Sequence, residues 1–326
     1  MLHSTGNAPG SSLKADRPGL PSPPLQETAP GPLLAVEGLR VSTARGDILR
    51  GVDLALMRGE VMGVVGESGS GKTTLGLAIL GLLGRARWIS SGEIRLAEEL
   101  VGSRQVDRTA SLRGARLSFV PQDPFRAFDP LRRMGPQVRR PLELHAGLDA
   151  AAADERVMDL LAQLGVREPR SVMSRYPHQL SGGLLQRAAI ATALSCRPEL
   201  VIADEPTTAL DAIVQGQVIE SFTALVRELG TSVIVITHDL RMLERMADRI
   251  AVLYAGKVVE FGPADDLLAR PRHPYPAALL ASSVRAAQPG DRLATVEGQP
   301  PSLPGTFSPC AFAPRCPRAD ARCYAE

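Results

Sequence analysis

The segment best equipped for chemistry is the glycine-rich run GESGSGKT at residues 66–73. It matches the pattern G-x-x-x-x-G-K-[ST], whose glycines let backbone N–H groups turn inward around phosphate oxygens. Lys72 can place its charge on the β- and γ-phosphates of a nucleotide, and Thr73 can offer its hydroxyl to Mg²⁺. The sequence therefore predicts a nucleotide site lined by Gly66, Glu67, Ser68, Gly69, Ser70, Gly71, Lys72, Thr73 and Thr74.

Two adjacent carboxylates, Asp204 and Glu205, follow the apolar run LVIA. Asp204 is expected to reach Mg²⁺, directly or through a water, as the acidic partner of Thr73. Glu205 is expected at a strand end, where a carboxylate can orient or deprotonate an attacking water. Alone, the pair could equally be an ordinary acidic segment before a helix starting near Asp211. The phosphate loop upstream favours the catalytic interpretation.

A second anion site is predicted at LSGG, residues 180–183. Ser181 suits a helix N-cap, and Gly182 and Gly183 expose the first backbone N–H groups of that helix. One chain cannot easily bring both anion sites to the same phosphates, whereas two chains packed head-to-tail can complete each other's sites. The sequence therefore predicts a dimer with shared nucleotide sites.

Alternating strands and helices must position these residues. Short, continuous apolar strands between helices predict an α/β fold with a mainly parallel, helix-covered sheet. Residues 126–196 lack good strands and are predicted to form a helical subdomain. The predicted elements are strands within 33–42 and 52–66, a helix at Gly71–Leu83, strands at Glu93–Leu96, Leu117–Pro121, 199–204 and 232–237, helices at Ile213–Leu229 and Leu240–Ala247, and a hairpin at 249–262.

Composition excludes several classes of function. A net charge of +2 and 4% aromatic residues argue against a nucleic-acid partner. The longest apolar stretch, Leu75–Gly84, is about half of the ~20 residues that a spanning helix needs. The Pro-, Gly- and Ser-rich residues 1–32 lack the apolar region of a signal peptide, so we expect a disordered tail and a cytosolic chain.

A set of motifs, in this order, resembles an ABC-type ATPase cassette over about Leu33–Pro276. The resemblance implies a RecA-like P-loop NTPase core with an antiparallel β subdomain and a helical subdomain, and it implies ATP and Mg²⁺ as cofactors. Besides the phosphate loop, the motifs are Gln122 in VPQDP (the Q-loop), LSGGLLQR (the signature), LVIADEP (Walker B), TALD with Asp211 (the D-loop) and His238 in VIVITHD (the switch histidine).

The resemblance also implies roles for single residues. Gln122 would sense Mg²⁺ and the membrane partner, and Ser181 and Gly183 would contact the γ-phosphate on the opposite subunit. His238 would hold the γ-phosphate and position Glu205. Taken singly, a histidine after an apolar strand is more often a capping or packed residue, and a loop glutamine is usually solvated.

One position departs from the family pattern. Relatives usually carry an aromatic residue that stacks on adenine near the start of the cassette, in a context like VSF. This chain has VST, with Thr43 at that place. Stacking would then be weak or come from Arg45 or Ile48.

The segments RHPYPAALLASS at 272–283 and GQPPSLP at 298–304 resemble the C-terminal extension of ATP-binding subunits of oligopeptide, dipeptide and nickel importers. This implies a peripheral protein at the cytoplasmic face of the membrane, paired with a second cassette and with permease subunits, and served indirectly by an extracytoplasmic substrate-binding protein. We expect peptide import, with nickel import as the alternative. A soluble ABC ATPase of DNA repair or translation is a further alternative, but such proteins usually carry a coiled-coil insertion or two cassettes.

Three cysteines, Cys310, Cys316 and Cys323, lie in the tail CAFAPRCPRADARC. A cytosolic setting disfavours a stable disulfide between them. Some relatives hold an iron–sulfur cluster in a similar run with one more cysteine, and four thiolates are the usual demand of such a cluster. Two interpretations therefore remain for the tail: a cluster that takes a further ligand from elsewhere, and a vestigial tail with free thiols. The expected domains are a disordered tail (1–32), the ATPase domain (33–270, helical subdomain about 126–196) and a C-terminal extension (271–326).

Overall fold

Two β-sheets form the frame of the molecule, as seen in a computed structural model. The structure describes residues 31–208, 210–282, 295–305, 307 and 309–325. The predicted disordered tail therefore lies almost wholly outside the described residues. The strands are β1 (Leu34–Thr43), β2 (Gly46–Leu56), β3 (Val61–Val65), β4 (Trp88–Leu96), β5 (Glu99–Ser103), β6 (Leu117–Val120), β7 (Leu200–Asp204), β8 (Ser232–Thr237), β9 (Arg249–Tyr254) and β10 (Lys257–Pro263).

The first sheet is antiparallel, with the strand order β2-β1-β4-β5. Its alternating side chains bury Leu34, Val36, Leu39 and Val41 on one face. That face joins α1 and the neighbouring sheet in one apolar cluster. Strand β5 was not predicted, because its five residues ELVGS are short and mixed in polarity.

The second sheet has the order β10-β9-β3-β8-β7-β6. Its strands are parallel from β9 to β6, and only β10 runs antiparallel, as the predicted hairpin with β9. Every residue of β3, β7 and β8 is buried, which explains their continuous apolar sequences. Because the carboxyl ends of parallel strands share one edge, the loops that follow β3, β6, β7 and β8 gather there.

Helices cover the second sheet and fill the segment between β6 and β7. Residues 126–196, all of them described, hold four of the helices and no strand, as predicted. No helix among the described residues is long and apolar enough to cross a bilayer. The helices are α1 (Lys72–Ile79), α2 (Met134–Val138), α3 (Ala150–Gln163), α4 (Pro169–Ser174), α5 (Gly182–Leu194), α6 (Ala212–Leu229), α7 (Leu240–Met246), α8 (Ala264–Ala269), α9 (Pro274–Ala281) and α10 (Arg322–Ala325).

Helix α1 ends at Ile79 and does not extend to Leu83, as the sequence had suggested. The cause is Gly81, which adopts a φ of +64° in a turn that packs tightly against Thr109. A side-chain carbon at Gly81 would lie 1.8 Å from the Thr109 hydroxyl oxygen, so only glycine fits there.

Candidate nucleotide site

The glycine-rich loop joins β3 to α1 at the carboxyl edge of the second sheet. Gly66 lies so close to β9, the neighbour of β3 in the sheet, that a Cβ atom at Gly66 would be 2.1 Å from the Leu253 carbonyl oxygen. Gly71 opens α1 with a φ of +105°, which disfavours any side chain. The Lys72 ammonium donates hydrogen bonds to the carbonyl oxygens of Gly66 (2.7 Å) and Glu67 (2.9 Å). The loop therefore wraps around the Lys72 ammonium, which bonds to the backbone at the start of the loop.

The Glu205 carboxylate is the meeting point of three separate loops. Its Oε2 accepts hydrogen bonds from Gln122 Nε2 at 3.0 Å and from the Thr208 hydroxyl at 2.9 Å. Its Oε1 lies 3.0 Å from His238 Nδ1. The loops after β6, β7 and β8 supply these groups, because those strands are parallel neighbours. The structure thus brings together three of the predicted site residues, Gln122, Glu205 and His238.

The backbone also aims Glu205. Its φ is +45°, a conformation that costs energy for a residue with a side chain. Its N–H donates to the Ile236 carbonyl on β8 at 2.7 Å, which holds that conformation in place. Burial raises the pKa of the Glu205 carboxyl, but the contacts with His238 and Thr208 outweigh burial and leave the pKa below its usual value. The carboxylate is therefore ionised at neutral pH and fixed in direction.

Asp204 is a buried acid at the end of β7. Its Oδ1 has no hydrogen-bond partner in the described part of the chain. Burial raises the pKa of this carboxyl, and the nearby Thr73 hydroxyl acts in the opposite direction. A buried carboxylate oxygen beside a threonine hydroxyl is the donor pair that Mg²⁺ binds in P-loop proteins. The residues present therefore fit a Mg²⁺ ion.

Charge complementarity extends to the loop itself. The Lys72 ammonium is buried, and burial lowers its pKa while the carboxylates of Glu205 and Asp204 act against the shift. Ser70 Oγ is also buried without a partner in the described residues. A buried cation and an unsatisfied hydroxyl at the start of α1 suit a bound phosphate. The remaining predicted loop residues differ in exposure: Ser68, Gly69 and Thr73 face solvent, and Thr74 is buried in α1.

The predicted signature and D-loop residues lie elsewhere. Ser181 caps α5, its hydroxyl accepting from the Leu184 N–H at 3.4 Å. Gly182 begins α5, and Gly183 is buried against Val214 of α6. No hydrogen bond or ion pair of the described residues joins this segment to the glycine-rich loop. Within one chain the two predicted anion sites therefore remain separate.

Asp211 caps α6. Its Oδ1 accepts from the N–H groups of Ile213 at 3.2 Å and Val214 at 3.0 Å. Ala209, next to it in the D-loop motif, lies outside the described residues.

Four residues at the site were not predicted from the sequence. Thr208 contacts Glu205, and only its position three residues after that carboxylate could have pointed to it. Tyr275 and Arg315 contact Glu67 from the C-terminal extension, and Tyr254 accepts a hydrogen bond from Arg315. Arg315 is 248 residues away from its partner Glu67, so no local pattern points to it.

The three tail cysteines do not form a metal site in the structure. No group of three or more His, Cys, Asp or Glu side chains in the described ranges is arranged to hold a metal ion. Two of them are joined through their main chains, since the Cys310 N–H donates to the Cys323 carbonyl at 3.2 Å. These residues as placed do not fit an iron–sulfur cluster. The tail is packed on the rest of the chain, because Phe312 belongs to the main core cluster.

A glycine-rich loop, a buried acid and an aimed glutamate at one edge of a parallel sheet define a P-loop NTPase. Comparison with known proteins makes this more specific. A family model described as ABC transporter matches residues 49–208, and one described as oligopeptide/dipeptide transporter, C-terminal region, matches residues 259–323.

The chain is 40% identical over 293 residues to the dipeptide transport ATP-binding protein DppD of Bacillus subtilis, covering 87% of each chain. It is 40% identical over 300 residues to the oligopeptide transport ATP-binding protein OppD of Escherichia coli, covering 91% of this chain and 89% of OppD. A solved dimer of the ATP-binding cassette MJ0796, bound to ADP and phosphate, superposes with a TM-score of 0.62 at 29% identity, covering 71% of this chain and 98% of that one. The chain therefore belongs to the ABC transporter ATPase family, in the branch that carries the oligopeptide/dipeptide transporter C-terminal region.

Proposed function

We propose that this chain is the nucleotide-binding subunit of an ABC importer and hydrolyses ATP to drive peptides through a membrane permease. The observation that carries the proposal is the Glu205 carboxylate, held by Gln122, Thr208 and His238 at 2.9 to 3.0 Å. A carboxylate that is ionised, aimed and largely shielded from solvent is suited to take a proton from an attacking water. Glu205 is the general base in this account, and His238 positions it.

The other groups stabilise charge on the transferred phosphoryl group. Lys72 neutralises the β- and γ-phosphates from within the glycine-rich loop, and the N-terminus of α1 adds its N–H groups. Thr73, Asp204 and Gln122 are the residues that would hold Mg²⁺. When bound, Mg²⁺ neutralises the negative charge that develops on the phosphate oxygens. His238 is 61% exposed, which leaves its ring open to the γ-phosphate.

The signature segment serves the site of a second subunit. Ser181, Gly182 and Gly183 form a capped helix N-terminus, and no hydrogen bond or ion pair among the described residues joins it to the glycine-rich loop of its own chain. Head-to-tail packing of two cassettes would place this helix start on the γ-phosphate of the partner, with Asp211 near the contact. The dimeric MJ0796 cassette supports this arrangement. ATP would then close the dimer and hydrolysis would open it.

The permease would dock beside Gln122. The segment after the Q-loop exposes two large apolar side chains, Phe125 and Leu131, which are 50% and 85% exposed. A groove adjoins them between that segment, α2 and α5, and a cytoplasmic helix of a permease would suit it. The groove is lined by Ala127, Phe128, Arg132, Pro136, Gln137, Arg139, Arg140, Glu143 and Thr192. Docking there connects the membrane partner to Glu205 through the loop of Gln122.

The names of DppD and OppD favour peptides as the cargo and argue against nickel. The same two names also argue against a soluble ATPase of DNA repair or translation. An ATP-binding subunit on a permease lies peripherally at the cytoplasmic face of the membrane, and a substrate-binding protein on the other face would deliver the peptide.

Affinity purification of the tagged full-length chain from detergent-solubilised membranes tests the assembly. We expect permease subunits, and a second cassette or a second copy of this chain, to co-purify in stoichiometric amounts. The double variant Phe125→Ser, Leu131→Ser should release the permease and keep the cassette pair. Leu144→Ser, on another exposed leucine of the helical region, is the matched control. Co-purification with ribosomes in place of a permease would contradict the proposal.

A further inference from the structure

A buried ion pair connects the C-terminal extension to the glycine-rich loop. The Arg315 guanidinium binds the Glu67 carboxylate with two hydrogen bonds, Nη1 to Oε2 at 2.7 Å and Nη2 to Oε1 at 2.9 Å. The Arg315 side chain is 5% exposed and that of Glu67 is 22% exposed. Two parallel charge-assisted bonds at such burial fix the direction of the carboxylate.

The main chain of Glu67 is held as well. Its N–H donates to the Tyr275 hydroxyl at 2.8 Å, and its carbonyl accepts from the Lys72 ammonium at 2.9 Å. Glu67 therefore has contacts with the extension through both side chain and backbone. Through its carbonyl it also contacts the lysine assigned to the phosphates.

The extension is itself firmly packed at this place. Phe312 is 1% exposed and meets the rings of Tyr254 and Tyr275 at centroid distances of 5.3 and 5.4 Å. Arg315 also donates to the carbonyl oxygens of Val296 and Glu297, at 3.2 and 2.8 Å. The guanidinium is thus a fixed positive charge and not a mobile surface group.

We propose that Arg315 is a positioning residue for ATP, because it neutralises Glu67 and keeps that carboxylate turned away from the phosphates. The proposal rests on ATP binding at the glycine-rich loop. Glu67 is the only acidic residue of Gly66–Thr73, where a triphosphate of like charge must bind. A carboxylate of the phosphate-binding loop that is not neutralised would repel the phosphates, and the repulsion is stronger because the site is partly buried. The C-terminal extension is then part of the nucleotide site and not only a docking module.

A purely structural role makes a different prediction. If the ion pair only tethered the extension, removing either partner would weaken ATP binding to the same degree. If Arg315 acts by neutralising charge, only its loss should weaken binding. Removing the charge of Glu67 should strengthen ATP binding, and in the double variant it should restore the binding lost with Arg315.

The test compares Arg315→Ala, Glu67→Gln and the double variant in the full-length chain. The dissociation constant of a fluorescent ATP analogue is measured, together with KM and kcat of phosphate release. We expect Arg315→Ala to raise the dissociation constant and KM on the order of tenfold with kcat changed less. Glu67→Gln should lower the dissociation constant of ATP, because it leaves the Arg315 charge unpaired beside the phosphates. The double variant should return to within about twofold of the wild-type value. Arg322→Ala is the matched control, since Arg322 is an 82% exposed arginine of the same extension.

Equal weakening by Arg315→Ala and Glu67→Gln would overturn the proposal. So would wild-type binding by a folded Arg315→Ala, or a double variant no better than Arg315→Ala. Thermal unfolding of each apo variant shows whether it is folded. If Arg315→Ala does not fold, Arg315→Gln, which keeps most of the packing, replaces it in the comparison. Failure of the wild type to hydrolyse ATP would instead count against the proposed function.

Discussion

Replacing Glu205 by glutamine is expected to abolish turnover while leaving ATP binding intact. The amide is close in shape to the carboxylate and can keep contacts with Thr208, Gln122 and His238, so the loop geometry should persist. It cannot accept the proton of the attacking water, and phosphate release should fall by about 10³-fold. ATP-dependent dimerisation should remain, since the binding groups are untouched. The measurements are steady-state phosphate release and size-exclusion chromatography with ATP.

Glu220→Gln is the matched control for this variant, because the Glu220 side chain on α6 is 76% exposed and pairs with Arg245, which is not a residue of the site. It should leave both measurements unchanged. Normal phosphate release by Glu205→Gln would show that another group is the base.

The second large effect is expected at Lys72. Alanine there removes the buried ammonium that we propose neutralises the β- and γ-phosphates, and it also breaks the bonds to the carbonyl oxygens of Gly66 and Glu67. Losing a hydrogen bond to a charged group costs about 2 kcal/mol, which corresponds to about a 30-fold rise in the dissociation constant of ATP. Isothermal titration calorimetry with a non-hydrolysable analogue measures this.

Lys257→Ala provides the control for Lys72, because Lys257 is exposed at the start of β10. An unchanged ATP affinity in a folded Lys72→Ala variant would contradict the placement of the phosphates in the glycine-rich loop. Lys72→Ala and Glu205→Gln are also expected to differ in ATP-dependent dimerisation. Lys72→Ala should fail to dimerise with ATP, whereas Glu205→Gln should dimerise and not turn over.

Much of the frame could be predicted from the sequence, for physical reasons. Strands β3, β7 and β8 are buried on both faces, so their sequences are unbroken apolar runs, and the residues that follow them are polar. Parallel strands put those residues at one edge, which is why the phosphate loop, Glu205 and His238 meet. The contact between Gln122 and Glu205 depends on β6 and β7 being neighbours, which the sequence suggests only through the family resemblance.

What could not be predicted depends on contacts between distant segments. Arg315 is one of many arginines in the chain, and only packing of Phe312 against Tyr254 and Tyr275 brings it to Glu67. The sequence left an iron–sulfur cluster and free thiols both open for this tail, and neither alternative indicated the ion pair of Arg315 and the aromatic packing of Phe312. The left-handed backbone of Glu205 was also unforeseen, because glutamate has no intrinsic preference for it.

The most direct test of the central claim is ATP-driven uptake of a radiolabelled peptide by proteoliposomes. These would contain the purified complex, with its substrate-binding protein supplied outside and ATP inside. We expect uptake with the wild-type chain and with Glu220→Gln, and none above the ATP-free background with Glu205→Gln. Peptide uptake at the wild-type rate with Glu205→Gln, or ATP-driven uptake of Ni²⁺ in place of peptide by the wild type, would contradict that claim.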